Sequence, residues 1–421
     1  MKKTLFSFLL LSFLASYTVY AQEPLKPRAD AFPPKPETFD GKAIQMASTI
    51  EEMANWDRYP TYDTYLAMMQ NWADNFPDLC HVDTIGVSVQ GRLILSMFIR
   101  IQTVDDMYRP QFFYSSTMHG DEVTGFVMML RLIDTLLKGY GNNPQYTNLI
   151  DRTQISIIPL SNPDGTYRFS NNTIQGCMRY NANWVDLNRN FPDPFGTEPM
   201  DDLQPENIAM IDYVNSNNFR LSANLHGGAE VMNYPWDSFT SYENPHPDRE
   251  WWMAVCKRFV DTSRNYSNSH FRDTYNSGYT AGGDWYVISN GRQDYMNYYH
   301  NCHEMTMEVS SSKTLSSDQL PEYWRFLQHS LVNYIEEIHT LTGTESIAPT
   351  ADNKSLRVYP NPTRDKLFLP ESPSLPLLLF DMKGNCLLQL PAGTNLIDLG
   401  NLPQGVYVLR SGNHCVKVVK Q

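Results

Sequence analysis

The sequence predicts an α/β domain with a mostly buried sheet, followed by a small all-β sandwich. Three observations predict it. Short apolar strands alternate with segments of helical periodicity through Leu341, and the composition turns polar after Gly343. Beyond that, only short strands recur, between Pro, Gly and Asn turns. At 421 residues the chain exceeds one average domain, so one large domain and one smaller one are expected.

Residues 1–21 read as an export signal. Lys2 and Lys3 give the charged start, Leu5 to Leu14 a mostly apolar run, and Val19-Tyr20-Ala21 the cleavage site. That run is too short for a membrane anchor, and no later stretch would span a bilayer, so the mature chain is expected to carry no transmembrane segment. Residues 22–50 hold Pro24, Pro27, Pro33, Pro34 and Pro36 with little periodicity, an extended lead-in or propeptide.

Within residues 51–342, Tyr65, Leu66, Met69, Trp72 and Phe76 have helical spacing. Strands follow at Leu93 to Ile101 and Gln111 to Thr117. Phe126, Met129, Leu130, Ile133 and Leu137 then line one helix face, which Gly139 can terminate. The alternation continues with a strand at Ile155 to Leu160, a helix at Asn207 to Asn215 and a strand at Leu221 to Leu225. Next come a helix through Trp252, Val255, Cys256 and Phe259, a strand at Met305 to Val309, and a closing helix from Tyr323 to Leu341. Residues 343–353 read as a linker. In 354–421, strands are expected at Leu356 to Tyr359, Lys366 to Leu369, Leu377 to Phe380, Leu387 to Leu390, Val406 to Leu409 and Cys415 to Val419.

Hydrophobic content of 42% and aromatic content of 13% fit a packed protein rather than a disordered one, and a net charge of -13 argues against nucleic acid as a partner. The six cysteines form no CxxC pair, which speaks against a thiolate metal site. Cys386 and Cys415, close together in the small domain, are the most plausible disulfide.

Chemistry concentrates at strand ends. Thr117-Met118-His119-Gly120-Asp121-Glu122 lies where a strand gives way to a helix, and His119 and Glu122 are ordinary zinc donors. Alone, an HxxE describes many surface loops; here His226 ends another strand and supplies the third donor a catalytic zinc needs. Glu308 sits in the apolar strand Met305 to Val309, where a carboxylate is costly unless used or paired, and could act as general base. The stretch Cys177 to Asn181, with Asp186 to Asp193 after it, is rich in donors. Its arginines beside amides suit a free carboxylate. No G-x-G-x-x-G or phosphate loop appears, and Ser310 with Lys313 forms an SxxK lacking companion motifs.

These motifs resemble, over roughly Trp56 to Leu341, the carboxypeptidase A/B type of zinc metallopeptidase. They are HGDE at 119–122, NPDG at 162–165, VDLNRNFPD at 185–193, the LHGG histidine and the strand glutamate. The resemblance implies a mixed central sheet flanked by helices, one Zn2+ per chain, and peptide or protein C-termini as substrates. It implies His119, Glu122 and His226 as metal ligands and Glu308 as general base and acid. Arg179 would stabilise the oxyanion, Asn188 and Arg189 would hold the terminal carboxylate, and Tyr286 would close over the substrate. Asp186 would orient His119. The run Asn233 to Asp237 is similar to the branch that prefers basic residues (carboxypeptidases N, E, D and M), as is Arg292 to Tyr295. That likeness implies Asp237 as partner for a departing Lys or Arg. That branch usually carries a transthyretin-like domain, which this tail does not resemble.

The tail instead resembles the C-terminal sorting domain of the type IX secretion system of Bacteroidetes. The likeness rests on Val358 to Thr363, Phe380-Asp381 to Gly384, and Leu402-Pro403 to Tyr407. This implies that machinery as partner and a secreted or surface-attached location. Competing expectations are a peptidoglycan peptidase or amino-acid deacylase on the same scaffold, and an inactive surface-binding protein.

Overall fold

The structure is a computed structural model that describes residues 44–101, 109–196, 200–341, 356, 358–370, 373, 376–381, 386–411 and 414–421. The expected export signal, most of the lead-in and the 343–353 linker lie outside the described residues. The chain divides into two compact units, Met1–Ser346 and Ile347–Gln421.

The first unit opens with the short parallel pair β1 (Met46–Ala47) and β2 (Tyr59–Pro60) and the helix α1 (Tyr62–Asn75), whose first turn Thr61 caps by accepting from Thr64 N. Eight further strands make one sheet: β3 (Cys80–Val87), β4 (Leu93–Ile99), β5 (Gln111–Ser116), β6 (Gln154–Ile158), β7 (Phe219–His226), β8 (Ala229–Tyr234), β9 (Tyr279–Ala281) and β10 (His303–Ser310). Their order is β3-β4-β6-β5-β7-β10-β8-β9. The central strands β6, β5, β7 and β10 run parallel, whereas β3, β4 and the β10–β8 pair are antiparallel. The sheet is therefore mixed, as the resemblance implies.

The helices are α2 (Thr124–Gly139), α3 (Pro144–Arg152), α4 (Pro163–Thr166), α5 (Pro205–Asn215), α6 (Arg249–Tyr266), α7 (Gly282–Trp285), α8 (Arg292–His300) and α9 (Leu320–Glu336). The single apolar face expected for α2 is wider in the fold: Val127, Met128, Leu132 and Leu136 are buried too, because α9 packs on that helix as well as the sheet. The closing helix ends at Glu336 and tightens into a 3-10 turn, Glu337–Thr340.

Strands β3, β8 and β9 and helices α3 and α8 have no counterpart in the periodicity reading. In β3 only Cys80 is buried and the rest are half-buried or exposed with no two-residue period, as suits an edge strand. Helix α8 buries Arg292, Gln293 and Asp294 alongside Tyr295 and Met296, so its buried residues form no periodic apolar stripe. Cys80, Cys256 and Cys302 are buried free thiols. Among the described residues no helix is long and apolar enough to cross a membrane.

The second unit holds a two-stranded pair, β11 (Lys366–Phe368) with β14 (Leu396–Asp398). It also holds a four-stranded antiparallel sheet, ordered β13 (Cys386–Leu390), β12 (Leu377–Asp381), β15 (Gly405–Ser411) and β16 (His414–Lys420). Leu367 and Ile397 from the pair share a core with Leu377, Leu379, Tyr407, Leu409 and Val418 from the sheet, a small sandwich. Instead of the strand expected at Leu356 to Tyr359, Tyr359 makes one bridge to Phe368. The strands carrying Cys386 and Cys415 are the two edges of the four-stranded sheet. Three strand spacings, about 14 Å, separate them, twice what a disulfide tolerates, so the expected pairing does not fit the topology. The side chains of both cysteines lie outside the described residues.

Candidate active site

Parallel strands leave a crevice at their carboxyl ends, and the site forms there. β5 ends at Ser116 and runs into His119 and Glu122; β7 ends on His226; Glu308 lies in β10 directly opposite His226 in register. Two strands thus deliver a histidine and a glutamate side by side.

The loop carrying His119 is fixed by the NPDG segment. Asn162 donates from its amide to Met118 O and Arg179 O and accepts from Gly165 N. A Cβ at Gly120 would stand 2.4 Å from the Gly165 carbonyl carbon, and one at Gly165 would stand 2.6 Å from Tyr180 O, so both loops need glycine there. Asp164 accepts from Ser88 Oγ and Gln90 N and pairs with Arg92 at 2.7 Å, tying the loop to the β3–β4 turn.

His119 Nδ1, His226 Nδ1 and Glu122 Oε2 converge. They stand 3.0 Å (His to His), 3.0 Å (His119 to Glu122) and 2.8 Å (His226 to Glu122) apart, all three residues buried. Two imidazole nitrogens facing each other across a carboxylate, each with lone pairs inward, are a donor set for one cation. Two nitrogens and an oxygen are an ordinary zinc triad that leaves a position for water or substrate. Among the described residues this is the group of metal-capable side chains that lies within ligand reach. The outward nitrogens fit too. His119 Nε2 is 3.1 Å from Asp186 Oδ1, and His226 Nε2 is 2.8 Å from the Asn224 side-chain amide. With Nδ1 turned inward, each Nε2 carries the proton and donates outward, so the Asn224 oxygen must face the ring.

Asp186 bridges His119 and Arg179, whose Nε donates to its Oδ2 at 2.9 Å. Burial opposes the Asp186 charge, but His119 and Arg179 outweigh it and hold its carboxyl well below the usual range. Arg179 Nη1 lies 3.6 Å from Glu122 Oε1. Glu308 is buried, and its Oε2 has no hydrogen-bond partner among the described residues. Burial first, and the Glu122 charge second, raise its carboxyl well above the ordinary value.

One small cavity is lined by His119, Arg179, Asn188, His226, Asp237, Tyr286 and Glu308, together with Asn233, Gly282, Trp285, Ile288 and Thr306. All but three of the sequence-predicted site residues line it, and one of the three, Asp186, reaches it through His119 and Arg179. Glu122 lies behind the histidines, and Arg189 lies to one side. Its Nη1 donates to Asn188 O, while its charge still reaches Asp237 and Tyr286. Burial, then the Glu308 charge, push the Tyr286 hydroxyl up to about 12, so it stays a neutral donor. A separate groove of about 820 Å³, lined among others by Trp251, Arg258 and Glu337, shares no residue with this cavity.

Asp237 is held by residues to which the sequence reading gave no role. Gln293 Nε2 donates to Asp237 Oδ1 at 2.7 Å, and Gln293 Oε1 accepts from Thr306 N. Asp294 accepts from Asp237 N and Ser238 N. A Cβ at Gly282 would stand 1.8 Å from Asp237 Oδ1. Nearby, Arg292 pairs with Glu304 at 2.9 Å, both side chains fully buried, and donates to Ser115 Oγ; its backbone N–H donates to Asn188 Oδ1. The available signal was the run Arg292 to Tyr295, whose likeness to the basic-preferring branch marked the segment but gave its residues no role.

If the triad holds zinc, a purified chain should contain about one zinc per molecule. Removing it should lower the melting temperature reversibly, since ligand at a thousandfold its Kd stabilises by about 4 kcal/mol. Metal analysis and thermal melts with and without chelator check this. An unchanged melt would mean that the three side chains bind nothing.

The family model described as zinc carboxypeptidase matches residues 65–329, and that described as secretion system C-terminal sorting domain matches residues 357–421. Carboxypeptidase D of Anas platyrhynchos is 32% identical over 339 residues, covering 76% of this chain and 24% of that protein. The carboxypeptidase N catalytic chain of Homo sapiens is 34% identical over 329 residues, covering 67% of this chain and 69% of that one. Carboxypeptidase A from Helicoverpa armigera, a solved structure, shares the fold with a TM-score of 0.60 at 17% identity, over 70% of this chain and 78% of that one. The chain spans about a quarter of the carboxypeptidase D it matches. Its sorting-domain match points to a type IX secretion system and to the bacterial surface or beyond. With the histidine–glutamate–histidine group intact, the chain belongs to the zinc carboxypeptidase family, joined to a secretion-system C-terminal sorting domain.

Proposed function

We propose that this chain removes single residues from peptide or protein C-termini outside the cell, releasing Lys or Arg. The observation that carries the reading is Asp237, a buried carboxylate lining the same cavity as Glu308 and the two histidines. A carboxylate kept there by Gln293, and given room by Gly282, has a use if a cation enters.

His119, Glu122 and His226 would hold the zinc, which supplies Lewis acidity to polarise a carbonyl and makes water acidic near neutral pH. Glu308 takes the proton of the attacking water and later returns it to the departing amine. Arg179, kept in place by Asp186, offers N–H donors to the oxygen on which charge develops. Asn188 and Arg189 hold the terminal carboxylate, and Tyr286 covers the departing residue.

Matched peptides ending in Lys, Arg, Leu or an amidated Lys test this. Lys and Arg ends are expected to be cut at least about tenfold faster than Leu ends, and amidated ends hardly at all. Faster release of Leu would overturn the basic preference. Efficient cutting of amidated ends or of peptidoglycan stem peptides would point to the other chemistries this scaffold can support.

A further inference from the structure

We propose that the exposed platform of Arg168, Phe169 and Trp184 binds the substrate upstream of the cleaved bond and favours an acidic residue there. The inference rests on the carboxypeptidase reading and extends it to a second recognition point.

Trp184 is 64% exposed and Phe169 is 70% exposed, so neither ring is kept for core packing. Trp184 also has φ +63, in the left-handed region that disfavours a bulky side chain. A large aromatic residue is thus held at a position that would suit glycine or asparagine, with little burial in return. The guanidinium of Arg168 lies over both rings, 4.8 Å from the Phe169 centre and 5.0 Å from that of Trp184. Among the described residues, Arg168 makes no hydrogen bond or ion pair, so its N–H edges remain free for a ligand. A guanidinium whose faces rest on rings and whose edges are open binds a carboxylate in a fixed plane.

A short turn of chain joins the platform to the residues of the catalytic cleft. Trp184 sits on a tight turn, closed by Trp184 N donating to Asn181 O and Asn181 N donating to Val185 O. One leg of that turn carries Arg179 and the other Asp186, which touch each other and His119. Two residues of chain reach at most about 7 Å, so Trp184 lies close beside Asp186. Asp237, Gly282 and Ile288 line the cleft around the departing residue. A substrate running out of the cleft past Arg179 would pass Tyr180, itself 39% exposed, and meet the rings. At about 3.3 Å per extended residue, the platform meets the chain roughly three to five residues upstream of the cut.

The test uses the full chain with two Lys-ended octapeptides that differ only in Glu or Gln at those positions. A blocked dipeptide, too short to reach the platform, serves as reference. With kcat/KM divided by the same enzyme's dipeptide value, wild type should favour the Glu peptide by about three- to tenfold, less at high salt. R168A and W184G should bring the ratio to about one. In an E308Q background, calorimetric titration with the Glu peptide should show the same weakening on adding R168A, without turnover. Equal rates for Glu and Gln in wild type, or a preference surviving R168A, would overturn the platform. Failure of the dipeptide to be cut at all would instead overturn the carboxypeptidase reading, and the titration would still decide the platform.

Discussion

Replacing Glu308 by Gln is expected to cut kcat by about 10²- to 10⁴-fold, the usual contribution of a positioned general base, while the protein keeps its zinc. Gln preserves the volume and shape of the side chain, so the neighbouring strand pairing with His226 is undisturbed. What it removes is the capacity to accept a proton. Glu308 is not one of the three converging donors, so metal content should match wild type. The variant should also melt no lower than wild type. A buried carboxyl with an unpartnered oxygen beside the Glu122 charge costs free energy in the fold, and an amide relieves it. Steady-state rates, metal analysis and a melt on the same preparation check all three. A variant keeping more than about a tenth of wild-type turnover would remove Glu308 from the base role.

Substituting Asp237 by Asn is expected to lower kcat/KM for Lys and Arg ends by roughly 10²- to 10⁴-fold. Leaving one member of a buried ion pair without its partner costs about 3–5 kcal/mol, and each 1.4 kcal/mol is a factor of ten. Leu ends should change far less, so the preference collapses or inverts. The same carboxylate predicts a pH dependence. Burial, and after it the Asp294 charge, raise the Asp237 carboxyl well above its ordinary value. Burial also raises Asp294 to about 6, although the backbone N–H groups of 237 and 238 favour its anion. As pH falls, Asp237 takes up a proton and can no longer pair with a cation, while the substrate's Lys or Arg stays charged. The Lys-to-Leu ratio should therefore fall on acidification; the ratio cancels losses common to both substrates.

For stability the sign follows from the raised value. Between the ordinary Asp range near about 3.9 and about 6, the folded chain binds protons that the unfolded chain has released. The contribution of Asp294 is thus complete below that window and is lost as pH rises through it. Peptide assays and melts across pH, in wild type and D237N, measure both effects. A Lys-to-Leu ratio that stays flat or rises on acidification would show that no carboxylate sets the preference.

Much of this site is legible in the chain because its parts are local and chemically sharp. HGDE, NPDG, the histidine ending an apolar strand and the lone glutamate within another each stand out against their neighbours. The alternation of apolar strands with amphipathic helices indicates the α/β layering, since both follow from period-2 and period-3.6 burial of individual segments. Helix α8 and strand β3 escape the same reading: the first buries polar residues beside apolar ones with no 3.6-residue stripe, and the second buries little.

Tertiary structure alone decided which distant residues meet. No local pattern says that Gln293 holds Asp237, that Arg292 and Glu304 pair in the core to support Asn188, or that Arg168 rests on Trp184. Nor does any pattern say that the two cysteine-bearing strands of the small domain lie at opposite edges of their sheet. Residue type and spacing dictate which atoms a segment can offer, because those depend on chemistry and backbone period. Partners depend on strand order and loop packing, which the whole chain settles at once by burying its apolar surface and satisfying its buried polar groups.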